Sequence, residues 1–348
     1  MNSLKTNEIA GQMKFLFSMI TRQISGEKFQ LAMMDYPLAR REGGTIGSAE
    51  SLKDPHGSAI LPSIPDSGQA SLFFVADWKG HVIRVYDADS GVLLRSIGSG
   101  VAGHAPGQLN GPRDVVVRVL PSGLSLLYVS DFHNHRVQVF DAQTGMHVRM
   151  LGEGHLHGIE CLALHDALES SIRSTLLFVA TGQNVKVFDA DSGALIRTLG
   201  SPVNGDAGKG LCFPAGLALR SIGEKLLLYI AENAANRVQV LDAYTGEHVR
   251  MIGEGDVRRN VLKYPMGIAV HPPAAGVGMP TLLYVVDYAN NRLRVFDADT
   301  GTSVRIIEGE GLNRMQSPVA VTLHAGADGT TLLFVSDGRG VGVQVLVV

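Results

Sequence analysis

The sequence lacks several features that mark whole classes of protein. Its 348 residues include two cysteines, Cys161 and Cys212, which are too few for a disulfide framework, so we expect an intracellular, cytoplasmic location. No apolar run reaches the ~18 residues that a membrane span needs. The net charge of −3 provides no bulk field for attracting nucleic acid or anionic lipid. These absences favour a globular protein with no membrane span and no dominant charge.

The amino-terminal segment has a short apolar stretch, "MKFLFSMI" at Met13–Ile20. It is not followed by the small residues of a cleavage site, so we expect no secretory signal. Apolar residues at steps of three and four over residues 9–24 predict an amphipathic helix. We therefore divide the chain into a helical extension, residues 1–28, and a repeat region, residues 29–348. The helix could dock on the protein's own body or on a partner, and Glu8 argues against a mitochondrial presequence.

Repetition is what the sequence has in abundance. In a recurring hairpin motif, an apolar alternation runs into Asp-Ala, a turn closes on Gly, and a second alternation ends in Arg. The terminal Gly tolerates the left-handed backbone that a short hairpin turn needs. The five copies begin at Val85, Val139, Val187, Val240 and Val295.

Two further strands precede each hairpin. A strand such as "LLYVSD" occurs six times at intervals of about fifty residues, beginning at residues 72, 126, 176, 227, 282 and 332. Another alternating segment lies before each of these strands and usually begins at a Pro or Gly. Four strands in each of six repeats predict an all-β fold, a six-bladed β-propeller with four-stranded blades.

The last repeat has no visible fourth strand. An open edge in the sixth blade would invite aggregation, so we expect an upstream segment to close the ring. The segment "YPLARREGG" (36–44) resembles the outer-strand motif "LLRSIG". We therefore predict that a strand within residues 29–42 closes the ring.

The repeats resemble the NHL-repeat family over residues 55–348. The segments "DFHNHRVQVFD" (131–141) and "DYANNRLRVFD" (287–297) carry its central motif, and "GQLNGPRDVVV" (107–117) resembles its glycine-rich link. The third repeat, "ATGQNVKVFD" (180–189), departs from the motif. The resemblance implies an NHL-type propeller, a fold found in ubiquitin ligases, translational repressors and a peptide-amidating lyase, and it does not imply one activity.

Acidic residues recur at the end of each second strand, except in the third repeat. We expect them to be structural, accepting backbone N–H bonds in the following turn and pairing with the arginines five residues later. A second set of arginines lies on the outer strands, where we expect it to blunt sheet edges. The acids are Asp77, Asp131, Glu232, Asp287 and Asp337, their partners Arg136, Arg237 and Arg292, and the outer set Arg95, Arg149, Arg197, Arg250 and Arg305.

Function is expected where the copies differ, on loops held by a rigid ring. Trp78, the only tryptophan, lies in such a loop beside cations, the composition of a binding hot spot. Alternatively, its ring packs over its own neighbouring blade. The predicted binding face consists of Trp78, Lys79, His81, Arg113, Phe132, His133, His155, His157, Arg258, Arg259, Tyr264 and Tyr288.

Three functions are compatible with this face. We favour a non-catalytic scaffold that binds a protein partner, present as a monomer or as a subunit of a larger assembly, with no cofactor and no bound metal. RNA binding is the second possibility, although acids in the same loops nearly cancel the basic charge. The third is a metal-dependent lyase or lactonase-like enzyme, because His155, His157, Cys161 and His165 would share one side of a strand.

Overall fold

The computed structural model describes residues 52–63, 70–88, 90–166, 174–200, 210–253, 261–272, 280–308, 314–325, 331–339 and 342–347. The predicted amino-terminal helix, the predicted closing strand within residues 29–42, and Arg258 and Arg259 lie outside these residues. The described chain is an all-β, six-bladed propeller with antiparallel blades. Two single-turn 3-10 helices, Phe132–Asn134 and Tyr288–Asn290, interrupt the strands. No helix among the described residues has the length and apolarity to cross a membrane.

Each blade is a sheet whose strands follow one another in chain order from the ring axis outwards. Blades 1 to 3 consist of β1 Pro55–Leu61, β2 Leu72–Asp77, β3 Val82–Asp87 and β4 Leu93–Ile97; β5 Pro112–Val119, β6 Ser125–Asp131, β7 Arg136–Asp141 and β8 His147–Leu151; and β9 Cys161–His165, β10 Leu176–Thr181, β11 Asn184–Asp189 and β12 Leu195–Leu199. Blades 4 to 6 consist of β13 Pro214–Ile222, β14 Lys225–Glu232, β15 Arg237–Asp242 and β16 His248–Ile252; β17 Pro265–His271, β18 Leu282–Asp287, β19 Arg292–Asp297 and β20 Ser303–Ile307; and β21 Pro318–Ala325, β22 Thr331–Asp337 and β23 Gly342–Val347.

The second strand of every blade is apolar on both sides because it is covered by a neighbouring blade on each face. All six residues of β2 are buried, as are all six of β10. The cores accordingly lie between blades: Phe74 and Val85 of blade 1 pack in one cluster with Leu127 of blade 2. Burial of these continuous apolar runs explains why the strands lack the alternation seen in half-exposed sheets.

The ring closes between blades 6 and 1. The inner strands contact one another in the order β1, β5, β9, β13, β17, β21 and back to β1. The Ser58 and Thr322 hydroxyls lie 2.9 Å apart across this junction, and the Phe73 and Phe334 rings lie 4.7 Å apart. Among the described residues blade 6 has three strands, with β22 between β21 and β23.

The recurring hairpin docks each blade on the blade before it. Gly145, at φ 78°, ends the β7–β8 turn and packs against Ile97 on the outer strand of blade 1. Beside it, Arg95 donates a hydrogen bond of 2.7 Å to the Ala142 carbonyl in the same turn, and Arg250 makes the equivalent bond of 2.6 Å to the Asp299 carbonyl. Arg95, Arg149, Arg197 and Arg250 therefore tie neighbouring blades together, a role that the expected blunting of edges did not include, whereas Arg305 bonds to the Tyr284 hydroxyl of its own blade.

Candidate functional site

The turns between second and third strands and the links that precede the inner strands lie together, and we call this surface the link face. The Trp78 N–H donates to the Asp54 carbonyl at 2.9 Å, and the His133 N–H donates to the Asn110 carbonyl at 3.1 Å. These bonds hold each turn to the link of its own blade. The grouping of turns and links on one face, predicted from the sequence, is observed.

The repeated acids fasten the links to the blades. The Asp131 carboxylate accepts the Asn110 N–H at 2.7 Å, and Asp287 accepts the Lys263 N–H at 2.7 Å. The predicted acceptor role is correct, but these main-chain donors belong to the preceding link rather than to the following turn. Asp77 and Asp337 differ because each also accepts a main-chain N–H from its own turn, that of Gly80 at 3.1 Å and that of Arg339 at 3.3 Å.

The predicted acid–arginine pairs are all present. Their nitrogen–oxygen distances are 2.9 Å for Arg136–Asp131, 2.6 Å for Arg237–Glu232 and 2.7 Å for Arg292–Asp287. Each pair joins residues that are opposite one another on the second and third strands.

An aromatic and cationic cluster, the Trp78 cluster, joins blades 1 and 2 on the link face. It consists of His56, Trp78, Arg113, Phe132 and His133. The Trp78 ring lies 5.0 Å from the Phe132 ring and 4.9 Å from the His133 ring. The Arg113 guanidinium carbon is 4.6 Å from the Trp78 ring centroid and 4.8 Å from that of Phe132. Trp78 is half-buried, so the ring both packs on its neighbouring blade and presents part of its surface.

The imidazoles of this cluster are neutral near pH 7. Burial, with the charge of Arg113, lowers the pKa of His56 to about 4 despite the opposing effect of Asp54. Burial and then Arg113 also lower the pKa of His133. Burial lowers the pKa of Arg113 to about 10, so it keeps its charge, and it forms an ion pair with Glu160. Arg113 is therefore the cation of the cluster.

Several predicted binding residues have structural partners. His81 and His135, at φ 54° and 55°, accept main-chain N–H bonds from the next link, from Gly111 at 3.1 Å and from Gly158 at 3.2 Å. Lys79 pairs with Asp54 at 2.9 Å and remains largely exposed. The two histidine bonds tie the turns of blades 1 and 2 to the links of blades 2 and 3, whereas the Lys79–Asp54 pair joins a turn and a link of blade 1.

The four residues considered for metal binding do not share one side of a strand. His155 and His157 are exposed and lie in the link before β9, which begins only at Cys161. The His157 ring meets the His135 ring edge-on, with the two centroids 5.5 Å apart, whereas His165 lies 3.4 Å from the Tyr244 hydroxyl. Within the described part of the chain, no three His, Cys, Asp or Glu side chains are arranged to share a metal ion.

Two exposed aromatics on blades 4 and 5 adopt a left-handed backbone. Tyr264 (φ 51°) and Phe213 (φ 57°) each precede the proline that begins an inner strand, a position held by Gly111 in blade 2. Their side chains are 47% and 40% exposed. A bulky residue rarely adopts this conformation. Sequence analysis identified Tyr264 and Tyr288 but missed Phe213, and an aromatic directly before the proline was the signal available.

A cavity of about 220 Å³ lies where the six inner strands meet. Its lining includes His56 and Arg113 of the Trp78 cluster together with Asp114, Glu160 and Cys161. Sequence analysis assigned no function to Asp114 or Glu160, because their place at the ring axis depends on how the blades are arranged. The cavity and the Trp78 cluster share side chains and are therefore continuous.

Comparison with known proteins identifies a fold and no family. No family model and no curated protein matches the sequence. Among solved structures, the fold is similar to a chain of the hydrazine synthase of Kuenenia stuttgartiensis, with a TM-score of 0.53 and 14% sequence identity over 89% of this chain and 99% of that chain. At this identity the likeness concerns the fold alone, and the chain is a six-bladed β-propeller.

Proposed function

We propose that this chain is an NHL-type propeller that binds a protein partner through its link face and has no catalytic activity of its own. The observation that carries the proposal is the Trp78 cluster, a half-exposed aromatic platform with a cation stacked on it. Its members are held by the turn and link hydrogen bonds before any partner arrives. Little conformational entropy is then lost on binding, so a few aromatic and arginine anchors can supply most of the affinity.

The motif residues support the NHL part of the proposal. In "DFHNHR" the polar positions converge, because Asn134 and Arg136 both donate to one Asp131 oxygen, at 2.8 and 2.9 Å. In "DYANNR" the same arrangement recurs, with Arg292 donating to Asp287 at 2.7 Å. The spacing of the motif thus corresponds to one repeated interaction.

Charge pairing favours a protein partner over RNA. Arg113 is paired with Glu160 and Lys79 with Asp54, while His56 is neutral near pH 7. Each phosphate contact requires a cation that can neutralise it, and these two cations are already neutralised by acids. A mixed surface of aromatic, basic and acidic groups suits a protein interface better.

The proposal includes closure of blade 6 by residues 29–42. Blades 1 to 5 each have a fourth strand, whereas β23 has a pairing partner only on its β22 side among the described residues. A strand added to β23 would also continue the apolar cluster of Phe334, Val343 and Val345. Such an addition would cover a sheet edge that otherwise favours association.

The test begins with a partner identified by cross-linking to the full-length chain and then purified. Trp78→Ala, Tyr264→Ala, and the double variant Arg258→Ala/Arg259→Ala should each weaken its binding by at least about 1 kcal/mol, roughly fivefold. Leu94→Ala is the matched control, because it removes a side chain of similar exposure (47%) from an outer strand. Circular dichroism verifies folding of each variant.

Salt dependence separates the candidate functions. A protein interface should show a shallow fall of affinity between 50 and 200 mM salt, over which the Debye length falls by about half, whereas RNA binding should show a steep linear fall of log affinity with log salt. Sensitivity of the complex to RNase would favour RNA. If all three link-face variants bind the partner as tightly as the wild type, the proposed face is wrong.

A further inference from the structure

The inner strands of the six blades are not equivalent around the axis. In five blades the inner strand begins at a proline, and its second position is His56, Arg113, Ala215, Met266 and Val319 in blades 1, 2, 4, 5 and 6. The equivalent residue of blade 3 is Glu160, which directly precedes β9. The third position is Gly57, Asp114, Cys161, Gly216, Gly267 and Ala320. Apart from Gly216, all of these residues line the axial cavity. Blades 1 to 3 therefore form a polar wall and blades 4 to 6 an apolar wall.

Hydrogen bonds hold the polar wall across three blades. The Asp114 carboxylate accepts the Leu162 N–H at 2.8 Å and the Val115 N–H at 2.9 Å. The Cys161 thiol also bonds to this carboxylate and accepts the Leu217 N–H at 3.3 Å. A carboxylate offers about four acceptor sites, so the three bonds leave Asp114 with capacity for one more donor.

Glycine in blade 1 makes room for this carboxylate. A Cβ at Gly57 would overlap the Asp114 side chain.

Burial raises the pKa of the Cys161 thiol well above its usual range, so the thiol remains protonated. Burial also raises the pKa of Asp114 to about 6 against the effect of its hydrogen bonds, and the group is largely ionised at pH 7.5.

Among the described residues of the polar wall, one negative charge has no cation to balance it. The side chains of the wall that can ionise are His56, Arg113, Asp114, Glu160 and Cys161. Near neutral pH Arg113 is the one cation among these five, and it pairs with Glu160, which is 7% exposed. His56 is neutral because its pKa is about 4. The Asp114 carboxylate thus faces the cavity without a cation from the described part of the chain, and a buried charge of this kind gains most from a cationic partner.

We propose that the axial cavity binds a small primary amine whose ammonium group meets Asp114 and whose apolar body lies against Met266 and Val319. The cavity volume of about 220 Å³ admits a compact molecule and not a peptide. The polar wall would orient such a ligand through its ammonium group, and the apolar wall would bury its hydrocarbon part away from water. The cavity shares His56 and Arg113 with the Trp78 cluster, but Asp114 is not part of the proposed partner-binding face, and neither proposal depends on the other.

Selectivity of the wild-type, full-length chain is the first test. Binding of 2-phenylethylamine, 2-phenylethanol and 3-phenylpropanoate is measured at pH 7.5 by isothermal titration and by saturation-transfer NMR. The amine should bind at least about tenfold more tightly than the alcohol, which has the same apolar body but no charge, and the carboxylate should bind most weakly, because hydrogen bonds to charged groups exceed neutral ones. Equal binding of amine and alcohol, or no binding of the amine, would overturn the proposal.

Variants locate the site. Asp114→Asn should weaken amine binding at least about tenfold by removing the charge and should weaken alcohol binding far less, although its amide also faces the N–H of Val115 or of Leu162. Ala320→Met should weaken both by filling the apolar wall. Glu247→Gln, which removes an exposed acid from a hairpin, is the control and should change neither. Unchanged amine affinity in Asp114→Asn would place the ligand elsewhere, and the wild-type selectivity remains decisive if a variant fails to fold.

Discussion

Replacing Asp131 by Asn tests whether the acid clamp on the link is a main determinant of stability. Asp131 is fully buried, and its two oxygens together accept four hydrogen bonds. One comes from the Asn110 main chain at 2.7 Å, and the other three come from Asn134, Arg136 and Gln138 at 2.8 to 2.9 Å. An Asn side chain has one oxygen, so in either orientation its amide faces at least one donor.

The expected loss follows from these contacts. An unsatisfied buried donor costs about 1–3 kcal/mol. Arg136, which is 6% exposed, also loses its carboxylate, and removal of one partner of a buried ion pair typically costs about 3–5 kcal/mol. We therefore expect Asp131→Asn to lower the free energy of unfolding by about 3–5 kcal/mol. Glu153→Gln, which removes an exposed acid from a nearby link, should change it by less than about 0.5 kcal/mol.

Urea unfolding followed by circular dichroism measures this loss, and fluorescence of the only tryptophan, Trp78, reports the link face separately. The double variant Asp131→Asn/Arg136→Met should lose less than the sum of the two single variants by at least about 1 kcal/mol, because the stranded charge is gone. A loss below about 1 kcal/mol for Asp131→Asn, or strict additivity in the double variant, would refute the buried-clamp reasoning.

Three further predictions follow from other contacts. Arg250→Ala should lower the free energy of unfolding by about 1 kcal/mol, because the bond to the Asp299 carbonyl between blades is lost, and Arg250→Lys should recover part of it in the same urea assay. Burial raises the Asp114 pKa to about 6, so the folded state binds this proton more tightly than the unfolded state. The free energy of unfolding should therefore fall by roughly 3 kcal/mol as pH rises from about 4 to about 6. Asp114→Asn should lack this pH-dependent component in urea titrations across that range. Deletion of residues 1–45 should produce aggregates in light scattering or a markedly lower Tm, since the edge of β23 would then lack its proposed partner, and a monomeric truncation with an unchanged Tm would contradict the closure.

Part of the candidate site could be predicted from the sequence. Trp78, Arg113, Phe132 and His133 were selected because they lie in turns and links, and these segments do gather on one face. The acid–arginine spacing of five residues also predicted the Asp131–Arg136 pair. These inferences succeeded because a tight turn places such residues opposite each other whatever surrounds them.

Other parts could not be predicted in this way. The metal-binding interpretation assumed that His155 and Cys161 share a strand, but β9 begins only at Cys161. The start of this strand depends on pairing with β10 and not on the local alternation of apolar residues. The outer arginines were expected to blunt edges, whereas Arg95 and Arg250 bond to the next blade. The repeat pattern contains no information about which neighbouring hairpin lies within reach.

The sequence by itself determined the period, the strands and the turns, because these depend on neighbours along the chain. Gly145 adopts the left-handed backbone that its turn requires, and the apolar runs of the second strands specify burial on both faces. Only the tertiary structure decided which repeats meet at the axis. Ring closure brings Ser58 to Thr322, 264 residues away, and places Asp114 beside Cys161 of the next blade. Residues at equivalent positions of different repeats become neighbours only when the blades pack around a common axis, so the polar and apolar walls of the cavity exist only in the folded ring.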